Sequence, residues 1–270
     1  MDYPYETGSW NRYEQIVLPI TLAIIVLISV ALGFLLRKKD YKIKSIPLKI
    51  IAGILFVAEI VKQILNIVNG YSLWAIPLHF CSLFVFFFPL SELMPAKICK
   101  VFKPVSVACA TAMTLLFYFG PNTIISDSCY YIFFTEYNVT NVAEFGRIFS
   151  NYHTFFFHHF VILYLGITLA LKLYSPKKSD VYMVLAVMSA YIIITMPLAH
   201  IIDVNFCNML ESNIPFMEAI RVNLGQFVYS IAMHVAIPGG CTLIIYVYYL
   251  VVKLITSIKN KKLANDKERS

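Results

Sequence analysis

Apolar residues fall in blocks of roughly twenty along this chain, separated by short polar connections, which is the spacing a lipid bilayer imposes on helices. Seven such blocks are visible: Ile16–Leu36, Ile46–Ile67, Trp74–Leu90, Pro104–Phe119, His153–Leu173, Val181–Ile202 and Phe227–Val252. A span requires about 20 residues within a range of about 17–25, so the third and fourth blocks are the shortest candidates. The pattern predicts an all-α, polytopic helical membrane protein with about seven transmembrane helices. Residues 1–258 then form a single transmembrane domain, and 259–270 a basic tail that stays solvated and disordered.

Composition sharpens this picture. Hydrophobic residues make up 59% of the 270-residue chain and charged residues 14%, against about 45–50% and about 25% in soluble domains. A water-soluble core cannot use that much apolar side chain, whereas a bilayer can. The formal charge of +7 does not indicate nucleic acid, because Lys and Arg gather in alternate connections. Residues 37–44, 97–103, 172–178 and 253–269 hold 17 of the 22, the opposite connections hold only Arg12, Arg147 and Arg221, and Lys49 and Lys62 fall inside blocks. By the positive-inside rule this places the N-terminus outside and the C-terminus in the cytoplasm, in a plasma-membrane protein whose partners are membrane lipids. The sequence leaves oligomeric state open. The first 15 residues carry three acids against Arg12, which is not the basic start of a cleaved signal peptide.

Ionisable groups inside a span are costly and usually face the bundle interior. The second block carries Glu59, Lys62, Gln63 and Asn66, three and four residues apart and therefore on one helical stripe. Glu59 and Lys62 are placed to pair; such a pair serves equally as a structural lock or as part of a site. The third block holds Pro77, His79, Cys81 and Ser82. On a regular helix His79 shares a face with Ser82 but not with Cys81, from which it is turned by about 200°. The fifth block places Asn151, Thr154 and His158 on one stripe, with His158 turned inward, while His159 shares its stripe with Phe155, Phe156 and Leu163 and faces an aromatic surface or a neighbouring helix. His153 is expected at the membrane edge. His200 and Asp203 close the sixth block, and Asn223, Gln226, Ser230 and His234 open the seventh, which Pro238 and Gly239–Gly240 are expected to bend or break.

Most of these groups share one depth. Glu59, Lys62, His79, Cys81, His158 and His234 lie roughly 5–9 residues from the outer ends of their blocks, about 8–13 Å below the surface at 1.5 Å per residue. The inner halves, such as FVFFFPL, are apolar. A transport path needs polar groups through the whole thickness, so this arrangement predicts a dead-end pocket open to the outer side. Residues 120–152 contain an aromatic run expected to cap it. Cys129 and Cys207 both fall outside, either as a disulfide or as two thiols.

Three segments, EIVKQ (Glu59–Gln63), IPLHFCSL (Ile76–Leu83) and HTFFFH (His153–His158), resemble the bacterial YwaF-type integral membrane proteins, which are related to human transmembrane protein 164. The resemblance extends over roughly residues 45–230. The human relative is described as a phospholipid acyltransferase with a cysteine nucleophile, and more distant relatives hydrolyse fatty-acid esters with a Thr and a His. It implies that Cys81 corresponds to the reactive cysteine and His158 to the histidine of the later span. His200 and Asp203 match no part of the pattern.

Three functions follow as expectations. The first is acyl transfer or ester hydrolysis on lipids, with Cys81 as nucleophile, His158 as its base, and His79 or Lys62 near the oxyanion. The second is proton-coupled binding or transport of a small solute through a pocket of Glu59, Lys62, Gln63, Asn66, Ser82, Thr154, His159, His200 and His234. The third, a zinc site on His79, Cys81, His158 and His234, is disfavoured by the opposed faces of His79 and Cys81, so no metal and no cofactor is expected.

Overall fold

In a computed structural model of the chain, residues 12–120, 139–212 and 214–268 are described. The helices are α1 (Arg12–Leu36), α2 (Tyr41–Lys44), α3 (Ile46–Val68), α4 (Phe84–Glu92), α5 (Ala96–Phe119), α6 (Val142–Ala170), α7 (Lys178–Ile202), α8 (Pro215–Leu224) and α9 (Gln226–Glu268). Among the described residues, six helices are long and apolar enough to cross a membrane. This is a polytopic helical membrane protein.

The third block, Trp74–Leu90, is not a full helix. After Gly70, whose φ of 85° ends α3 in a conformation that favours glycine, the chain runs through a 3-10 turn at Leu73–Ala75 and irregular backbone at Ile76–Phe80. Only then does it wind into a second 3-10 turn, Cys81–Leu83, and α4. Pro77 denies this stretch an amide donor and pushes the residue before it away from helical angles. Irregular backbone at membrane depth is tolerated where protein buries it. Here Tyr191 of α7 donates its hydroxyl to the Leu78 carbonyl at 2.7 Å, and the Phe80 amide donates to the Cys207 sulfur at 2.5 Å.

Other boundaries also move. Asn141 caps α6 by accepting from the Glu144 amide at 2.8 Å, so that helix starts before His153 and carries it inside instead of leaving it at the edge. Helix α5 starts at Ala96 and takes in Lys103, which therefore is not a loop lysine. Helix α9 continues unbroken through Pro238 and both glycines and on to Glu268. Lys, Leu, Ala and Glu in its last turns are good helix formers, and extending an existing helix needs no new nucleus. The aromatic run at 121–138, with Cys129, lies outside the described residues.

The helices pack α1 on α6, α3 on α6 and α4, α4 on α5, and α7 and α5 on α9. Where α1 meets α6, Gly166 lies against the Ser29 side chain so closely that a Cβ there would collide with it. Between Ile202 and α8 the chain turns at Asp203, Cys207 and Asn208, all with φ between 52° and 59°. Helix α8 is fixed by Glu218, which accepts from Arg221 and, at 2.9 Å, from the Ser212 amide. These two donors, Arg221 first, hold the Glu218 carboxyl down to about 2.

Candidate functional site

The irregular segment 70–80 opens a cavity of about 340 Å³ between the ends of α3, α6 and the start of the Cys81–Glu92 helical run. Glu59, Lys62, Asn66, His79, Cys81, Ser82, Thr154 and His158 line it, so eight of the side chains singled out in the sequence converge.

Glu59 organises one wall. It is 3% exposed and fully engaged: Lys62 Nζ donates to Oε2 at 3.0 Å, Gln63 Nε2 donates to Oε1 at 2.7 Å, and His153 Nε2 lies 3.2 Å from Oε2. Gln63 itself does not line the cavity; its amide also donates to the Ala75 carbonyl at 2.7 Å, and its oxygen accepts from Tyr71. The α3 stripe thus anchors the irregular segment as well as the ion pair. His153, expected at the membrane edge, belongs to the cavity instead, and so does Ser150, which the sequence did not single out. The signal for His153 is its spacing of three and four from Ser150 and Phe157, visible only once the helix start at Asn141 is known.

His158 forms the opposite wall and is 3% exposed. Its Nδ1 sits 2.6 Å from the Thr154 carbonyl oxygen. A carbonyl only accepts, so Nδ1 carries the proton, and in the neutral ring Nε2 presents a lone pair. That Nε2 is buried and has no hydrogen-bond partner among the described residues. Buried polar atoms are nearly always paired, so such an atom beside a cavity marks a place for an incoming group. The ring is held by Phe117, stacked at 6.1 Å between centroids.

His79 is set differently. Its Nε2 lies 3.3 Å from the Trp74 carbonyl, and its ring packs on Trp74 at 4.4 Å and Phe206 at 5.1 Å. By the same tautomer logic Nε2 is the donor, which leaves Nδ1 as an acceptor. Cys81 opens the helical run and is a free thiol. Because the backbone before it is irregular, the opposition of faces expected for His79 and Cys81 on a regular helix does not apply, and both line the cavity.

Three histidines stand apart. His159 turns toward α1, with Nε2 3.0 Å from the Thr21 hydroxyl and its ring edge-on to Phe117. His200 is exposed at the end of α7, and His234 is half-buried on α9; neither lines the cavity. Among the described residues no group of three or more His, Cys, Asp and Glu is placed to hold a metal. Cys207 packs against Tyr191, with its sulfur 2.7 Å from that hydroxyl, and is a free thiol.

A second polar cluster, unread in the sequence, lies toward the Lys-rich end. Glu92, Lys103, Ser91 and Tyr164 are all buried. Glu92 Oε1 accepts from Tyr164 at 2.5 Å and Lys103 at 2.6 Å, with the Ser91 hydroxyl at 3.2 Å. Between the two clusters the side chains are apolar: Leu55, Phe84, Phe88, Phe117 and Val161 are at most 2% exposed.

No curated protein and no solved structure matches the chain. The family comparison agrees with the three sequence segments that converge on the cavity: residues 9–249 match the model of the TMEM164 family, and the chain belongs to that family.

Proposed function

We propose that the cavity is the active site of a lipid acyl-transfer or ester-hydrolysing enzyme, with Cys81 as nucleophile and His158 as its base. The observation that carries this reading is the unpartnered Nε2 of His158, a buried proton acceptor on the wall of the same cavity as a free thiol. In the first half-reaction the Cys81 proton passes to Nε2, and the thiolate attacks the ester carbonyl carbon. Collapse breaks the ester C–O bond, and the leaving alkoxide takes the proton back from the imidazolium. In the second, His158 draws a proton from an acceptor hydroxyl or water, which attacks the thioester and restores the thiol. Lys62 uses one ammonium hydrogen on Glu59 and keeps two donors for the oxyanion. His79 offers an acceptor, so its part is to shape the cavity with Trp74 and Phe206.

An outward-facing pocket at this depth suits an ester at the glycerol level of a phospholipid. The reading is tested by acyl release from phospholipid vesicles. Cys81→Ala is expected to abolish turnover and His158→Gln to lower it by about 10²–10⁴-fold, both melting with the wild type; full turnover by Cys81→Ala would sink the thiol mechanism.

The buried Glu59, with Lys62 and His153 beside it, favours a second reading, a proton-coupled solute site. The apolar layer beneath it weighs against a through-path. Uptake into proteoliposomes that is lost in Glu59→Gln would establish that reading instead.

A further inference from the structure

A second cavity, of about 630 Å³, lies at the Lys-rich end, where α2, the start of α5 and the 171–177 connection meet. Five lysines line it: Lys42, Lys49, Lys100, Lys103 and Lys177. Two carboxylates line it as well, but both are already occupied. Glu92 is taken by Lys103, Tyr164 and Ser91. Asp180 accepts from the Tyr174 hydroxyl at 2.9 Å and the Lys177 amide at 3.0 Å on Oδ2, and from Ser179 on Oδ1. Lys42, Lys49, Lys100 and Lys177 make no ion pair among the described residues.

The cavity is therefore a concave surface with a net charge of about +3 when five ammonium groups and two carboxylates are ionised. Its floor is fixed, because Lys103 and Glu92 are buried and the Tyr164 ring above them stacks on Phe88 at 3.9 Å between centroids. Four exposed lysines surround that floor from three separate chain segments, and Ser45, Ser175 and Tyr41 line the same space. Four like charges converging on one hollow repel one another, and the arrangement is relieved by an anion with several acceptor oxygens. Lys, as a compact point charge with three donors, suits phosphate. The hollow sits at the helix ends, where the headgroups of a bilayer lie, and basic pockets between transmembrane helices at that level take anionic headgroups.

We propose that this cavity binds a phosphate-bearing anion, held by Lys42, Lys49, Lys100 and Lys177. The same chemistry is presented by the headgroup of an anionic phospholipid and by free phosphate, and the two are separable by experiment. This site is independent of the reaction proposed for Cys81, and it can be occupied whether or not that thiol reacts.

The test uses the full-length protein in a neutral detergent, with native mass spectrometry and thermal unfolding as readouts. The probes are dioctanoyl phosphatidic acid, dioctanoyl phosphatidylcholine and inorganic phosphate. The variants replace the four exposed lysines together by Gln or together by Arg. Their melting temperatures without probe report whether the fold is kept, which their exposure favours. Wild type and the four-Arg protein are expected to bind phosphatidic acid at least tenfold more tightly than the four-Gln protein, with phosphatidylcholine at the four-Gln level. Competition by millimolar inorganic phosphate supports the site and assigns it to the soluble anion; binding that phosphate leaves unchanged supports the site and assigns it to the lipid headgroup. Equal binding of phosphatidic acid by wild type and four-Gln protein overturns the proposal, as does equal binding of the two lipids by wild type.

Discussion

Both ends of this molecule pair a buried Glu with a Lys, yet the two pairs do different work. At the Lys-rich end Glu92 and Lys103 sit on adjoining helices, and Tyr164 and Ser91 complete the carboxylate's hydrogen bonds. That cluster forms the floor of the larger cavity. At the other end Glu59 accepts from Lys62 and Gln63, with His153 Nε2 3.2 Å away. What differs is the imidazole: each pair lines a cavity that also holds a free thiol, Cys81 or Cys99, but only the Glu59 end adds a histidine, His158, whose Nε2 has nothing to bond among the described residues. A buried charge pair thus says little about function by itself, because such pairs are a common structural solution. The unsatisfied atom beside it separates the two cases.

The sharpest way to break the comparison is at the unsatisfied atom. His158→Gln keeps most of the volume and removes the base; it is expected to lower acyl turnover by about 10²–10⁴-fold, the usual worth of a general base, and to leave the melting temperature unchanged. A turnover assay paired with a melting curve reads both.

The opposite split is expected at the Glu92–Lys103 cluster. Lys103→Met leaves the Glu92 charge buried without its partner and is expected to cost about 3–5 kcal/mol. Adding Glu92→Gln to it should recover much of that loss. Melting of both proteins checks this, and a single variant as stable as wild type would show that the pair is not needed for the fold.

Smaller effects come from helix packing. Gly166→Ala forces Ser29 aside where α1 meets α6 and is expected to cost about 1–3 kcal/mol, as overpacking does. Gly53→Ala on α3 meets nothing within 4 Å. It is expected to be neutral or to stabilise by up to about 1 kcal/mol through helix propensity. Their melting temperatures should therefore move in opposite directions.

The smallest effect belongs to the partly exposed Glu218–Arg221 pair on α8. Its carboxyl titrates lower folded than unfolded, so its contribution is present above the unfolded value near 4.5 and is lost as pH falls toward about 2. Glu218→Gln should flatten the stability profile across that window and change little at neutral pH.

Much of the architecture was readable because a bilayer enforces it. Long apolar blocks gave six of the spans, with Lys and Arg marking alternate connections. The site was half readable: spacing of three and four residues placed Glu59, Lys62 and Asn66 on one stripe and Thr154 with His158 on another. The irregular segment 70–80 was harder, although Gly70, Ser72 and Pro77 are breakers, because Trp74–Leu90 has the composition of a helix. His153 was misplaced because residues 142–152 mix Glu144 and Arg147 with apolar positions, which hides about three further helical turns. Lys103 read as one more loop lysine beside Pro104; only tertiary packing brings it to Glu92, eleven residues away. His200 and His234 have the right chemistry but sit on α7 and α9, no residue of which lines the cavity.

The most direct measurement is the intact mass of the purified protein after incubation with a phospholipid mixture, wild type beside Cys81→Ser. The mechanism predicts an added acyl chain on wild type alone, removed by hydroxylamine as a thioester is. A wild-type protein that turns over phospholipid while never carrying such an adduct, even when trapped at early times, would contradict Cys81 as the nucleophile.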